Sequence, residues 1–153
     1  RTAVTVEPET LAQLSKIQNI VAVKDAGGNL DKTSQIRAMA KDLTIYSGDD
    51  GLTLPMLALG AKGVISVASH IVGNDIKAMI ENFENGETKK AEEIHLKLFN
   101  MFKGLFMITS PIPLKAALNM MGVKVGALRP PLVSADKDTI TAIEKLLKDY
   151  KLI

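Results

Sequence analysis

The chain has 153 residues, of which 46% are hydrophobic and 24% charged, as is usual for one globular domain with its own core. The 19 basic residues are not clustered and are nearly balanced by 17 acidic residues, and only 4% of the residues are aromatic. A nucleic-acid-binding protein is therefore not expected, because it would need a basic patch for phosphates and aromatic side chains to stack on bases. The absence of cysteine excludes disulfides and thiolate metal sites and fits a reducing compartment such as the cytoplasm. No apolar run is long enough to span a membrane, so a membrane protein is not expected.

The first predicted helix begins near Pro8. Proline at a helix start, with acidic residues beside it, is typical of a helix N-terminus. Leu11, Leu14 and Ile17 then recur at helical spacing and predict one apolar face.

The stretch Ile20–Lys24 follows and predicts a buried strand. Four apolar residues precede the lysine, and Gly27 and Gly28 end the strand soon after it. Because side chains alternate along a strand, Ile20, Ala22 and Lys24 share one face.

Helices and strands alternate through the next sixty residues. Ile36, Met39 and Ala40 are expected to form the buried stripe of the first of these helices. The predicted elements are a helix over 29–41, a strand over Leu43–Ser47, a helix over Leu52–Leu59, a strand over Gly63–Val67 and a helix over Asn74–Asn85. Such alternation predicts parallel strands joined by right-handed crossovers.

The second half of the chain predicts helices alone. They cover 88–107, 111–121 and 136–150, and Ser134 is the expected N-cap of the last one. We therefore divide the chain into βα units over residues 1–86 and a helical extension over residues 87–153.

The fold class expected from these elements is α/β, in the form of part of a (β/α)8 barrel. The tight repeat of strand and helix favours a barrel over a doubly wound sheet. Three βα units cannot close a barrel, because eight units need on the order of 200 residues or more. We expect this chain to be the C-terminal part of a larger barrel, with four or five units before Arg1.

Lys24 is the strongest candidate for chemistry. If helices cover the outer face of its strand, Lys24 points inward at the carboxyl end, where α/β folds bind ligands. Partial desolvation there would favour the neutral amine, which attacks a ketone or aldehyde and forms a Schiff base. The alternative is a solvated lysine at a strand end with no chemical role.

Several stretches, in this order, resemble the 4-hydroxy-tetrahydrodipicolinate synthase family, also called the dihydrodipicolinate synthase family. They are Val21–Ala26, Tyr46–Asp50, Gly63–Ser69, Ser110–Ala116 and Arg129–Leu132. The resemblance covers the whole chain. It implies a (β/α)8 barrel with a C-terminal helical extension, so it accounts for the barrel units that are missing here.

The resemblance also implies a lyase of the class I aldolase type in lysine biosynthesis. Pyruvate would form an imine and then an enamine on Lys24, and the enamine would attack aspartate 4-semialdehyde. No cofactor or metal is implied. Members commonly assemble as homotetramers or homodimers.

Three further residues are substrate-binding candidates by resemblance. Ile65 matches a residue whose backbone lines the pyruvate pocket, and its alternative role is barrel core. Gly48 lies at the mouth of a strand, where a missing side chain leaves room for substrate, although a simple turn glycine is the alternative. Arg1 matches an arginine that binds the carboxylate of the semialdehyde, for which a guanidinium is well suited.

Other polar residues carry weaker signals. His70 could touch the pocket but is expected to be structural, and His95 is expected to be a surface or contact residue. Asp49 and Asp50 could suggest magnesium, but the helix that follows makes capping the preferred interpretation. No histidines and carboxylates have metal-ligand spacing.

Two other functions remain open. One is a related pyruvate aldolase, such as N-acetylneuraminate lyase or a keto-deoxy-sugar-acid aldolase. The other is a non-catalytic half-barrel that assembles through its exposed strand edges. Because the family's proton-relay tyrosine and its paired threonines would precede Arg1, we expect this chain alone not to be a competent synthase.

Overall fold

The computed structural model describes residues 4–153, and it contains both helices and strands. In chain order these residues form α1 (Pro8–Leu14), β1 (Ala22–Asp25), α2 (Leu30–Met39), β2 (Thr44–Ser47), a 3-10 turn (Asp50–Leu52), α3 (Thr53–Ala58), α4 (Ser69–Glu84), α5 (Thr88–Gly104), α6 (Ile112–Met120) and α7 (Lys137–Asp149). Within this described range, no helix is both long enough and apolar enough to cross a membrane.

The two strands form a parallel pair, as the alternation of elements predicts. Ala22 lies opposite Thr44, and Asp25 lies opposite Ser47. Helix α2 connects the strands, so the segment from β1 to β2 is a βαβ unit. Strand β1 begins two residues later than predicted and includes Asp25.

The prediction of a third strand over Gly63–Val67 was wrong in its extent. Only Val64 forms a parallel bridge, with Ser47. The backbone N–H of Ser47 donates to Gly63 O at 2.9 Å, and the N–H of Ile65 donates to Ser47 O at 2.8 Å. The segment therefore lies beside β2, on the edge away from β1, with too few rungs to make a strand.

Asp50 explains both where this ladder stops and why α4 begins several residues earlier than predicted. Its carboxylate is 3% exposed. One oxygen accepts from Val67 N at 3.2 Å and Ala68 N at 3.1 Å, and the other accepts from the Ser66 hydroxyl. Amides that would extend a strand instead bond to this carboxylate, which turns the chain into α4.

Helix α2 follows its sequence pattern closely. Asn29 is the N-cap, and its side chain accepts from the N–H groups of Asp31 and Lys32. Ile36 and Ala40 are buried as predicted, whereas Met39 is 47% exposed and is not part of the buried stripe.

The last helix begins one residue later than predicted, with a different cap. Asp136, not Ser134, is the N-cap, and its carboxylate accepts from Thr139 N at 2.8 Å. This backbone hydrogen bond lowers the pKa of Asp136. Asp136 takes the role because it lies three residues before the amide that needs an acceptor.

The buried apolar side chains form two clusters. The first lies in the strand region (residues 4–61) and is made of Leu11, Ile36, Ala40, Leu43, Ile45, Met56 and Ala61. The second lies in the helical region (residues 68–153), where α4 shares one cluster with α5, α6 and α7. Leu11 of α1 belongs to the first cluster, whereas Ile17, predicted on the same apolar face, lies beyond the end of α1 and is 48% exposed.

Candidate active site

Lys24 lies one residue before the end of β1, opposite Tyr46 of β2. Among residues 4–153, its ammonium group has no hydrogen-bond or ion-pair partner. The side chain is exposed, as is Ala22 on the same face of β1. Residues 4–153 therefore leave this side chain open to solvent, and the burial expected for Lys24 is not found among them.

Gly48 lies directly against Lys24. A Cβ atom on Gly48 would come within 3.0 Å of Lys24 Cε and 2.6 Å of Ala26 Cβ. The space left by the missing side chain is thus filled by the end of β1, so Gly48 is more than a turn residue. Glycine is required here because the carboxyl ends of β1 and β2 approach so closely.

Asp25 fixes the end of β1 from the opposite face. Its carboxylate accepts from Thr33 Oγ1 at 2.6 Å and from Gly27 N at 3.0 Å, while its backbone oxygen accepts from Gly48 N at 2.7 Å. Thr33 is buried in α2. These bonds hold the residue after Lys24 to both α2 and β2. The sequence signal for this anchor is an aspartate two residues before a pair of glycines, Gly27 and Gly28, a pattern typical of a side-chain-capped turn.

The end of β2 is held by a local network. The buried Ser47 donates its hydroxyl to Asp49 O at 2.7 Å and accepts from Asp49 N at 3.2 Å. The Asp49 carboxylate accepts from Gly51 N at 2.7 Å and Leu52 N at 3.2 Å. The capping interpretation of Asp49 is therefore confirmed.

Ile65 lies next to this network through its backbone bond to Ser47. Its side chain is 49% exposed, so it is not a core residue of the described chain. The Asp50 carboxylate binds the residues that follow Ile65. The sequence predicted only that Asp50 would cap the helix directly after it. The missed signal was distant, because the partners of Asp50 lie 16 to 18 residues further along the chain.

A cavity of about 480 Å³ lies beside Lys24. Its lining includes Lys24, Asp25 and Ala26 from the end of β1 and Val4–Val6 from the start of the described chain. Gly48 and Ile65 are not among its lining residues. Arg1 lies outside the described residues, so its role in binding a carboxylate stays a prediction.

The two histidines lie away from this cavity. His70 is exposed in the first turn of α4. His95 of α5 is half-buried, with its ring centroid 6.3 Å from that of Phe99 and 6.1 Å from that of Phe102. Burial lowers the pKa of His95. Among residues 4–153, no three His, Asp or Glu side chains converge into a group that could hold a metal ion.

The parallel βαβ unit places this chain in the α/β class of proteins. Lys24 lies at the carboxyl end of the first strand of that unit. The family model described as the dihydrodipicolinate synthetase family matches residues 1–150. The chain therefore belongs to the dihydrodipicolinate synthetase family.

Curated relatives agree with this assignment. The 4-hydroxy-tetrahydrodipicolinate synthase of Nostoc sp. strain PCC 7120 is 50% identical over 154 residues, covering 100% of this chain and 52% of the relative. That of Listeria monocytogenes is 49% identical, covering 97% of this chain and 51% of the relative. The chain thus spans about half the length of the curated relatives it matches.

Solved structures give the same result for the fold. The dihydrodipicolinate synthase of Thermotoga maritima superposes with a TM-score of 0.95 at 36% identity, covering 100% of this chain and 54% of that structure. The enzyme of Cyanidioschyzon merolae, solved with lysine bound, superposes with a TM-score of 0.96 at 40% identity, covering 100% and 52%.

Proposed function

We propose that this chain supplies the Schiff-base lysine of a 4-hydroxy-tetrahydrodipicolinate synthase, which condenses pyruvate with aspartate 4-semialdehyde. The observation that carries the proposal is the amine of Lys24, which has no partner among residues 4–153, at the carboxyl end of β1 and against Gly48. Family membership and the names of the relatives support the choice of substrates.

The reaction proceeds through four steps while pyruvate is bound to Lys24. The neutral amine attacks the keto carbon of pyruvate, and loss of water gives an iminium ion. The iminium withdraws electrons, so the methyl carbon loses a proton and an enamine forms. The enamine carbon then bonds to the aldehyde carbon of the semialdehyde, whose oxygen takes up a proton and becomes a hydroxyl group, while the iminium ion on Lys24 re-forms. Finally the amino group of the condensed product displaces the Lys24 amine, which closes the ring and frees the enzyme.

The other candidate residues take supporting roles in this proposal. Gly48 keeps the space in which the Lys24 side chain lies. The backbone of Ile65 lines the pyruvate pocket, and Arg1 binds the carboxylate of the semialdehyde through its two-pronged donors.

The proposal includes a larger fold. β1, β2 and the segment at Val64 are successive parallel elements, which suits consecutive strands of a (β/α)8 barrel. A complementary N-terminal half would cover the exposed face that carries Ala22 and Lys24 and would supply the desolvation that the lysine lacks here. In this scheme residues 1–86 are barrel units and residues 87–153 are the helical extension. The complete enzyme would be a cytoplasmic homotetramer or homodimer.

This chain alone is then expected to be inactive as a synthase. The Nostoc and Listeria relatives are about twice as long, and both carry the synthase name and not that of the related aldolases that the sequence left open. The alternative of a half-barrel that assembles through its exposed strand edges is compatible with this proposal, because pairing with the other half would complete the active site.

Borohydride trapping tests the role of Lys24 directly. The purified chain is incubated with pyruvate and sodium borohydride, with and without the separately produced N-terminal half of the Nostoc relative, and peptides are mapped by mass spectrometry. We expect a carboxyethyl adduct on Lys24 in the mixture and little without the added half.

Two variants control the trapping experiment. Lys24→Ala should abolish the adduct, whereas Lys62→Ala, which removes another exposed lysine, should leave it unchanged. An adduct spread evenly over the exposed lysines, or one that persists in Lys24→Ala, would refute the assignment.

A further inference from the structure

Three cavities of the described chain have polar groups in their lining that a ligand could contact. The cavity beside Lys24 belongs to the candidate active site. A second, of about 540 Å³, is lined by Lys97 and Lys151, but two carboxylates offset them: Asp75, which pairs with Lys97 at 3.0 Å, and Asp149. The third cavity, of about 420 Å³, is formed by α6, the start of α7 and the loop between them.

We propose that this third cavity, here called the α6–α7 cavity, binds a small organic acid that has a branched aliphatic body. Its volume falls within the roughly 300–1,000 Å³ that is usual for small-molecule sites. The inference does not depend on the proposed synthase reaction, because none of the groups assigned to that reaction lines this cavity.

The charge of the cavity selects an anion. Lys115 is the one charged residue in its lining, and no carboxylate lines it. The Lys115 ammonium donates to Ala127 O at 2.6 Å, and within residues 4–153 it forms no ion pair. An ammonium group has three donors, so two remain for a carboxylate. The half-buried position of Lys115 strengthens attraction to an anion relative to open water.

Two neutral polar groups can complete the recognition of a carboxylate. The Ser134 hydroxyl has no hydrogen-bond partner among the described residues. The Asn119 carbonyl oxygen accepts from Val125 N at 3.4 Å, which directs its amide NH2 group away from that contact and leaves it available to donate. Together with Lys115 these groups offer an ammonium, a hydroxyl and an amide, all able to donate to oxygen.

The remainder of the lining is apolar and favours an aliphatic body. Ile112, Ala116 and Met120 come from α6, while Leu128 and Ile140 face them from the loop and α7. Burying a branched alkyl group against these side chains adds a hydrophobic contribution that a bare inorganic anion lacks. Ser110–Ala116, one of the stretches that carries the family resemblance, thereby gains a use outside the proposed reaction.

A matched pair of probes tests the inference. The chain is titrated with 4-methylpentanoate and with 4-methylpentanamide, which have the same shape but differ in charge, and amide shifts are followed by NMR. We expect the acid to bind about tenfold more tightly than the amide, since a hydrogen bond between charged groups is stronger than a neutral one. Shifts should concentrate at Ala116, Ala127 and Leu128.

Variants assign the preference to this cavity. Lys115→Met should remove the advantage of the acid, and Lys89→Met, on the exposed surface of α5, should preserve it. Ser134→Ala leaves the Lys115–Ala127 contact intact and should weaken the acid about threefold, which keeps the test valid if Lys115→Met disturbs the loop. Equal affinities for acid and amide in the unaltered chain, or shifts mapping elsewhere, would overturn the proposal.

Discussion

The strand region and the helical region bury their apolar surfaces to different degrees. In the helical region, Met79, Leu98 and Ile143 from three different helices are all 0% exposed. In the strand region, β2 is buried at Ile45, but β1 is exposed at Ala22 and Lys24. The helices thus complete a core among the described residues, which leave the face bearing the candidate lysine exposed.

The largest effect is expected from opening the helical core. Leu98→Ala should lower the free energy of unfolding by about 2–5 kcal/mol, because it leaves a cavity at a position with 0% exposure. The matched control is Leu96→Ala on the same helix, where 62% exposure predicts a change within about 0.5 kcal/mol. Urea unfolding measures both. Similar losses in the two variants would break the contrast between buried and exposed positions.

Removing the Asp50 carboxylate should weaken the connection between the two regions. Asp50→Ala leaves two backbone N–H groups and the Ser66 hydroxyl without their acceptor, at a cost of about 2–3 kcal/mol. Hydrogen exchange at Val67 and Ala68 should accelerate accordingly. Asp49→Asn keeps an oxygen that can cap the 3-10 turn and should be nearly neutral. Unchanged exchange in Asp50→Ala would contradict the role assigned to this carboxylate.

Gly48→Ala probes the contact between the two strand ends. The added Cβ would meet Ala26 at 2.6 Å, and relieving this overlap should cost about 1–2 kcal/mol and displace Lys24. Gly73→Ala in α4 meets nothing closer than 3.8 Å, so it should stabilise the chain by about 0.5–1 kcal/mol. Thermal unfolding distinguishes the two. A stabilising Gly48→Ala would show that the strand ends do not approach as described.

The smallest expected effect is a pH dependence in the helical region. Folding lowers the pKa of His95, so the unfolded chain binds a proton near pH 6.5 that the folded chain does not. Stability from this group is present above the unfolded pKa and is lost as pH falls toward the lower folded pKa. His95→Phe should therefore lose less stability than the original chain between about pH 7.5 and about pH 5.5 in urea unfolding. Equal losses would contradict a buried neutral imidazole.

Local patterns predicted most of the fold, and the failures have physical causes. The parallel pairing of β1 and β2 and the Asn29-capped start of α2 followed from hydrophobic period and turn chemistry. The third strand and the start of α4 were misjudged because Asp50, far away in sequence, captures the amides there.

The candidate site was predictable in position but not in environment. Lys24 stands at the carboxyl end of its strand as the apolar run predicted, next to Gly48. Its exposure agrees with the alternative of a solvated lysine and not with the expected desolvation, because a strand pattern does not say what packs against the face. The sequence pattern likewise allowed Ile65 to be a core residue, but its side chain is half exposed.

Reconstitution tests the central claim that this chain supplies the reactive lysine and that a complementary half completes the site. Synthase turnover is measured for the chain, for the N-terminal half of the Nostoc relative and for their mixture. The chain and the mixture are also measured with Lys24→Ala in place of the original chain. We expect turnover in the mixture alone and its loss with Lys24→Ala. Turnover by the isolated chain, or a mixture that stays active with Lys24→Ala, would contradict it.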